Sequence, residues 1–339
     1  MWMKLAALCE ADGPSGYENA VSDIAASMLA PFVREVKRDP LGNVLGFLPC
    51  GKPGAPLLAL DAHLDEIGFM VTGHKDGFAG IIPLCRLDPR VMPSQVVRLL
   101  TEPVTRGVVT CLPPHVTDKN DASVPFEELY LDLGLSQSDA ERLAPAGTLC
   151  VYDSVFTDMG GAVAGKALDD RACFVMFLRA LELLKGRELN VDLVVCGTVQ
   201  EEVGCRGAVA AAFGQAPDMC VAADVTHAHT PDASEDQTFK AGGGPCIGVG
   251  PTLASGISGA LTETAKTLGI PYQIEVMGGN SGTNAWVYQI SRGGIPCGLI
   301  SLPLKYMHTP NELLLKDDLE NGAKLLASYI LKAAPPEVL

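Results

Sequence analysis

The feature that most constrains the fold is the alternation of fully apolar runs with helical patterns in the second half of the chain. A helical pattern at 168–185 precedes an apolar run at 191–199, and a second apolar run follows at 219–223. The same order of a helical pattern followed by an apolar run recurs at 283–290 and 295–302. Apolar runs without alternation indicate strands buried on both faces. We therefore predict an α/β fold with a mostly parallel sheet flanked by helices, and a last helix at 311–332.

The segment 69–158 differs from this pattern, because short β-like pieces lie there among prolines. We predict these pieces at 95–100, 105–112 and 148–151, and one helix at 126–133. A small β-rich domain inserted at 69–158 into a main domain formed by 1–68 and 159–339 is the simplest organisation.

The segment 1–68 shows two further signals. Ser15 and Glu18 have the spacing of a capping box, which predicts a helix through about Leu29. The apolar run at 56–60 then predicts a buried strand that leads to His63.

Side chains that commonly bind metals follow four predicted strands, and one opens a helix. They are His63 with Asp65 two residues on, Asp169 at the helix start, Glu201 with Glu202, Asp224, and His308. Ligands gather beyond the carboxyl ends of strands in open α/β sheets. We therefore expect these side chains to meet at one edge of the sheet.

The types of these residues indicate a metal site. Two histidines and three carboxylates without a neighbouring cysteine suit zinc or cobalt, with manganese as an alternative. Five ligands exceed the need of one catalytic ion and suit two ions roughly 3.5–4 Å apart. Glu201 and Glu202 leave their strand in different directions, so one can bind metal while the other acts as general base.

Each residue alone has an ordinary explanation. Asp169 and Asp170 could complement a helix dipole, and a single histidine in a turn is rarely a ligand. Only the joint pattern favours a metal site. The remaining histidines are assigned no role, although His227 and His229 are close enough to Asp224 to be second-choice ligands; the others are His74 and His115.

Charge and cysteine content narrow the environment and the partners. A net charge of −15 argues against nucleic acid and anionic membranes, which both attract basic proteins. No apolar run approaches the roughly 20 residues that span a bilayer, and the N-terminus lacks the features of a secretory signal. Eleven cysteines without CxxC spacing indicate reduced thiols. We expect a cytoplasmic protein.

The motifs together resemble one family. The series HLDEIG (63–68), GKALDDR (165–171), QEEVGCRGA (200–208), ADVT (223–226) and KYMHTPNE (305–312) resembles the tetrahedral (TET), or glutamyl-aminopeptidase-like, family of dinuclear metallo-aminopeptidases. SGYE (15–18) and KAGGGP (240–245) are also similar to that family. The resemblance extends over nearly the whole chain in the right order.

The resemblance implies an activity and an assembly. It implies hydrolysis that releases N-terminal residues from peptides through a metal-bound water. It implies the fold of zinc peptidases with a small β-rich domain inserted, and homo-oligomers in which dimers assemble into a dodecamer.

The resemblance also implies a role for each site residue. His63, Asp169 and Asp224 would bind one ion, and Asp169, Glu202 and His308 the other, with Asp169 as the bridge. Glu201 would be the general base. Asp65 would orient His63 by a hydrogen bond.

Some features differ from the family pattern, and two alternative functions stay open. Asn284 stands where many relatives carry an acid, Lys305 stands where an arginine is common, and the GGNSG stretch (278–282) is longer than usual. The alternatives are a related dinuclear deacylase or dipeptidase, and a non-catalytic metal-dependent scaffold. Glycosidase chemistry is disfavoured, because it needs two free carboxylates and we expect these carboxylates to bind metals.

Overall fold

The structure of the chain is a computed structural model that describes residues 1–112, 115 and 125–334. It contains one large sheet of eleven strands and a separate closed β-barrel of six strands. In the described residues, no helix is both long enough and apolar enough to cross a membrane.

The large sheet is formed by strands from the beginning and the second half of the chain. They are β1 (Glu35–Arg38), β2 (Val44–Leu48), β3 (Leu57–His63), β10 (Thr157–Asp158), β11 (Ala162–Gly165), β12 (Asp192–Thr198), β13 (Met219–His227), β14 (Cys246–Val249), β15 (Gln273–Val276), β16 (Cys297–Lys305) and β17 (Glu312–Leu315). The barrel is formed by β4 (Phe69–Lys75), β5 (Phe78–Pro83), β6 (Val96–Leu99), β7 (Thr105–Val109), β8 (Tyr130–Asp132) and β9 (Leu149–Tyr152).

The α-helices lie mainly around the large sheet. They are α1 (Trp2–Glu10), α2 (Asn19–Leu29), α3 (Gln137–Leu143), α4 (Leu168–Leu184), α5 (Arg206–Gln215), α6 (Ser255–Leu268), α7 (Ala285–Gln289) and α8 (Lys316–Ile330). Short 3-10 helices lie at Ala30–Phe32, Pro89–Val91, Phe126–Glu128 and Glu235–Gln237.

The centre of the large sheet is parallel and its outer strands are antiparallel. The order is β1-β2-β12-β3-β13-β16-β17-β11-β10, with β14 and β15 attached beside β16. β12, β3, β13 and β16 pair in parallel. Their carboxyl ends therefore lie at one edge. In register, Thr198 is opposite His63, and Asp224 is opposite Ser301.

Both faces of the sheet are covered, which explains the continuous apolar runs in its strands. Alternate residues of a strand point to opposite faces. Val221 and Ala223 belong to the core shared with α1, α2, α4, α6 and α8, whereas Cys220 and Ala222 belong to the core shared with α5 and α7. The predicted α/β fold with an inserted β-rich domain is confirmed, since the barrel follows β3 in the chain and has its own core.

Two predicted helices are wrong in part, because tertiary pairing decides these segments. Within 126–133, Tyr130–Asp132 forms β8 between β5 and β7. Within 311–332, Glu312–Leu315 forms β17 between β16 and β11, and α8 begins only at Lys316.

The capping box at the start of α2 is also wrong. The Ser15 hydroxyl donates to Asp65 instead of capping the helix, and the Glu18 carboxylate accepts from the backbone N–H groups of Gly16 and Gln200.

Candidate metal centre and catalytic cavity

The carboxyl edge of the parallel strands surrounds a cavity of about 290 Å³. Each predicted ligand lies there because of its place on an element. His63 ends β3, Asp224 lies near the end of β13, and Asp169 lies in the first turn of α4. Glu202 follows β12 and His308 follows β16, and all five side chains line the cavity.

Asp169 faces both histidines, each with a different oxygen. Its Oδ1 lies 3.1 Å from His63 Nε2, and its Oδ2 lies 3.3 Å from His308 Nε2. His308 Nε2 also lies 3.1 Å from Glu202 Oε1. A carboxylate with one oxygen toward each of two imidazoles has the arrangement that a bridging ligand needs.

A second group of possible ligands includes a residue that the sequence did not single out. Ligand atoms of His63, Asp170 and Asp224 lie within 4.8 Å of one another, as do those of His63, Asp169 and Glu202. Asp170 Oδ2 accepts the backbone N–H of His63 at 3.2 Å. Its position directly after Asp169 was the only sign of it in the sequence.

The ionisation of these groups fits a site for cations. Burial opposes a charge on His63, yet hydrogen bonds to Asp169 and Asp65 hold its pKa well above the ordinary value. For Asp224, burial and then the neighbouring charges of Asp170 and Asp169 raise the pKa well above that of a free carboxyl group. Buried carboxylates that oppose each other's ionisation are stabilised by a cation between them.

Unpartnered oxygens support the same fit. Within the described part of the chain, Asp170 Oδ1 and Glu202 Oε1 are buried and accept no hydrogen bond, although His308 lies close to Glu202. Imidazole nitrogens and carboxylate oxygens without a protein donor are suitable ligands for zinc or cobalt. The residues therefore fit the expected metal ions.

Asp65 connects the cavity to the loops below it. Its Oδ1 lies 3.3 Å from His63 Nδ1, and its Oδ2 accepts the Ser15 hydroxyl at 2.6 Å. It also accepts the backbone N–H groups of Glu201 at 3.0 Å and Glu202 at 3.2 Å. One buried carboxylate therefore orients a histidine and fixes the backbone that carries both glutamates.

Glu201 and Glu202 have different neighbours, as their adjacent positions predicted. Glu202 points toward His308. Glu201 lines the cavity with its Oε1 3.2 Å from Cys205 Sγ, a contact that the sequence did not suggest. Burial raises the pKa of Glu201 to about 7, although a positive His63 would lower it.

Glu312 is another residue that sequence reasoning missed. Its side chain is buried, and its two oxygens accept the backbone N–H of Asp169 at 3.0 Å and that of His308 at 2.9 Å. It therefore couples the positions of two candidate ligands that are far apart in sequence. Its presence in the HTPNE motif was the only sequence signal.

Asn284 belongs to a buried polar cluster behind the cavity. Its amide donates to Asp61 Oδ1 at 2.6 Å and to Thr198 Oγ1 at 2.9 Å, and Thr198 and Tyr288 also donate to Asp61. Residues 281–283, immediately before Asn284, line the cavity. We refer to Asp61, Thr198, Asn284 and Tyr288 as the Asp61 cluster.

The other predicted histidine candidates lie outside the ligand groups. His227 lines the cavity at the end of β13, but it is exposed. His229 lies in a separate groove and contacts the Thr238 hydroxyl.

Comparisons with known proteins agree with this architecture. Residues 42–325 match the model of the M42 glutamyl aminopeptidase family. The lysyl aminopeptidase of Pyrococcus furiosus is 33% identical over 98% of both chains. An aminopeptidase from Desulfurococcus kamchatkensis has a TM-score of 0.91 at 32% identity, covering 98% of this chain and 95% of its own.

A third match concerns assembly. The TET1 peptidase of Pyrococcus horikoshii, described as assembling into a tetrahedron or a large octahedral shell, has a TM-score of 0.85 at 27% identity, covering 98% of this chain and 99% of its own. The family match extends over most of the chain and includes every candidate ligand. The chain therefore belongs to the M42 glutamyl aminopeptidase family of peptide hydrolases.

Proposed function

We propose that this chain is a dinuclear metallo-aminopeptidase that releases single residues from the N-termini of peptides. The observation that carries the proposal is the position of Asp169 between His63 and His308, with a different oxygen toward each. In this proposal His63 and Asp224 complete the site of one ion with Asp169. Glu202 and His308 complete the site of the second ion with the same Asp169.

Two divalent ions, zinc or cobalt, would polarise the scissile carbonyl and increase the acidity of the attacking water. Glu201 accepts a proton from that water and passes it to the leaving amine. A pKa near 7 suits a group that must take up and release a proton at neutral pH. Asp65 keeps His63 in one orientation, and Glu312 holds Asp169 and His308 at a fixed separation.

We further propose a division of labour between the two parts of the chain. Residues 1–68 and 159–339 would form the catalytic domain, and residues 69–158 would act in assembly and shape the entrance to the cavity. The TET1 relative is described as assembling into large particles, which supports a homo-oligomer of dimers, up to a dodecamer. All eleven cysteines are free thiols, which favours a cytoplasmic location.

A matched pair of variants tests the mechanism. Glu201→Gln keeps size and hydrogen bonding but removes the base, so turnover should fall by about 10²–10⁴ with unchanged metal content. Glu202→Gln should instead lose the second metal, and excess ion should restore part of the activity. Turnover on aminoacyl p-nitroanilides and elemental analysis of each variant provide the two measurements.

The outcome separates the two adjacent glutamates. Near-normal turnover of Glu201→Gln would show that Glu201 is not the general base. If Glu201→Gln loses metal while Glu202→Gln keeps both ions, the two assignments are reversed. The assignment of Asp169 as the bridging ligand is tested by comparing Asp169→Ala with Asp170→Asn. If Asp170→Asn loses one ion and Asp169→Ala keeps both, Asp170 and not Asp169 binds that ion.

A further inference from the structure

We infer that Glu275 makes this enzyme prefer peptides whose N-terminal residue has a positively charged side chain, such as lysine or arginine. The inference deepens the proposed function, because it assigns a substrate class to the same cavity. It concerns the side chain of the released residue and leaves the metal ligands unchanged.

Glu275 presents a fixed carboxylate to the cavity. Its Oε1 accepts the Thr226 hydroxyl and its Oε2 accepts the Ser301 hydroxyl, both at 2.6 Å. All three side chains line the cavity that contains the candidate ligands. The two hydroxyl groups hold both oxygens of the carboxylate, so its position is set before a substrate arrives.

Glu275 is not among the residues assigned to metal binding or to catalysis. Asp169, Glu202 and Asp224 are assigned to metals, and Glu201 is assigned as the base. No lysine or arginine is among the described residues that line the cavity, and the histidine of the lining that lies near Glu275, His227, is exposed. Glu275 is only 9% exposed, and a buried carboxylate without a cation is costly unless a partner compensates for its charge. A cation brought by the substrate would supply that partner.

The distance between Glu275 and the proposed metal site indicates that this cation comes from the substrate's side chain and not from its α-ammonium group. Thr226 is two residues beyond Asp224 on β13, which corresponds to about 6–7 Å. The α-ammonium group of a peptide is only two bonds from the scissile carbonyl carbon, so it must remain beside the metals. A lysine ammonium at the end of its four-carbon stem reaches farther. It is therefore the group that can contact Glu275 while the carbonyl lies at the metals.

The walls of the cavity suit the apolar part of such a side chain. Met277 and Met307 line the cavity with the Glu275 carboxylate. Methionine side chains are flexible and apolar, so they adapt to a long alkyl chain. A lysine side chain can pack its stem on apolar surface and keep its charged end on a polar partner.

The test compares substrates that differ in side-chain charge but not in the reacting groups. We would measure kcat/KM for lysyl, arginyl and methionyl p-nitroanilides with the wild type and Glu275→Gln. The wild type should prefer the two basic substrates over the methionyl one. Glu275→Gln should reduce the lysyl-to-methionyl ratio by about ten- to a hundredfold, the effect of losing one hydrogen bond to a charged group. Incomplete folding of the variant does not affect this ratio, because it lowers the measured kcat/KM of both substrates by the same factor.

Glu188→Gln is the matched control, because Glu188 is exposed and distant in sequence from every cavity residue. It removes the same charge from the protein and should leave the ratio at the wild-type value. An effect equal to that of Glu275→Gln would show that only net charge matters, which would overturn the inference.

Three further outcomes would overturn it. If Glu275→Gln reduces lysyl and methionyl hydrolysis equally, Glu275 acts on the common α-ammonium group or on the structure of the cavity. If the wild type hydrolyses methionyl substrates in a Glu201-dependent way without preferring basic ones, the inference fails while the proposed function stands. Absence of hydrolysis of any aminoacyl anilide would overturn both.

Discussion

Exchanging the acid and the amide between positions 61 and 284 would test whether the Asp61 cluster is one unit. Asn284→Asp removes the amide hydrogen bonds to Asp61 at 2.6 Å and to Thr198 at 2.9 Å, and places a second carboxylate against the first. Losing a hydrogen bond to a charged group costs about 1.5–3 kcal/mol, and two buried carboxylates in contact also oppose each other's ionisation. Asp61→Asn removes the charge but leaves three donors around a single carbonyl oxygen, which costs about 1–3 kcal/mol.

The double variant should recover part of this loss. With Asn at 61 and Asp at 284, the amide donates to the carboxylate in the opposite direction. The Tyr288 hydroxyl can donate to the carbonyl at 61, and the Thr198 hydroxyl can donate to the carboxylate at 284. We expect a coupling free energy of about 2 kcal/mol, within the range measured for groups in one network.

Urea unfolding of the wild type, the two single variants and the double variant gives the coupling directly. All four should be compared at one chain concentration and one metal content, because assembly and ions stabilise the folded state. Single effects that add to within about 0.5 kcal/mol would refute the reasoning, since independent sites are additive to that degree. Recovery of kcat/KM in the double variant would show that restoring the Asp61 cluster also restores the conformation of residues 281–283, which line the cavity.

Four other predictions concern activity, metal binding and assembly. Peptides with a free N-terminus should give a ladder of products in mass spectrometry, whereas internal fragments from an N-acetylated peptide would contradict the aminopeptidase assignment. Glu312→Gln leaves only one acceptor for two backbone N–H groups, so metal affinity should fall by about 10–100-fold; unchanged affinity in a metal-competition titration would exclude this role. Burial raises the pKa of Glu275, and His227 and Cys246 are the titratable groups close to it. As the pH is lowered, Glu275 therefore loses its charge at a higher pH than an exposed glutamate does. The lysyl-to-methionyl ratio of kcat/KM should decrease as the pH is lowered in the wild type, and it should not change with pH in Glu275→Gln. Light scattering should detect a large particle for the full chain and small species after deletion of 69–158; a wild-type monomer at micromolar concentration would contradict the assembly role.

Most of the candidate ligands could be predicted from the sequence because they lie at or shortly after the end of an apolar run, whereas Asp169 lies at a helix start. A strand buried on both faces reads as a continuous apolar run, and the polar residues where the run ends mark the edge of the sheet. His63, Glu202 and Asp224 were found in this way. The structure brings them together as expected, although their binding of metal stays a prediction.

The supporting residues could not be found in this way, because their roles depend on contacts between distant segments. Glu312 reaches Asp169 across 143 positions, and Glu275 reaches Thr226 across 49. Nothing in the local pattern indicates such partners. The same holds for Glu312–Leu315, where pairing with two strands overrides a helical pattern.

The position of β12 between β2 and β3 has a consequence for synthesis on the ribosome. β2 and β3 are made early, but the strand that joins them, β12, follows the entire barrel in the chain. In a nascent chain that ends before Asp192, β2 therefore lacks its inner neighbour, and β3 lacks both of its neighbours, β12 and β13, so these strands have unpaired edges. His308 emerges later still, so the complete set of candidate ligands cannot assemble on a truncated chain. Folding is dominated by contacts between distant parts of the sequence, which is slow, and the proposed metal-dependent hydrolysis can begin only after synthesis has nearly finished.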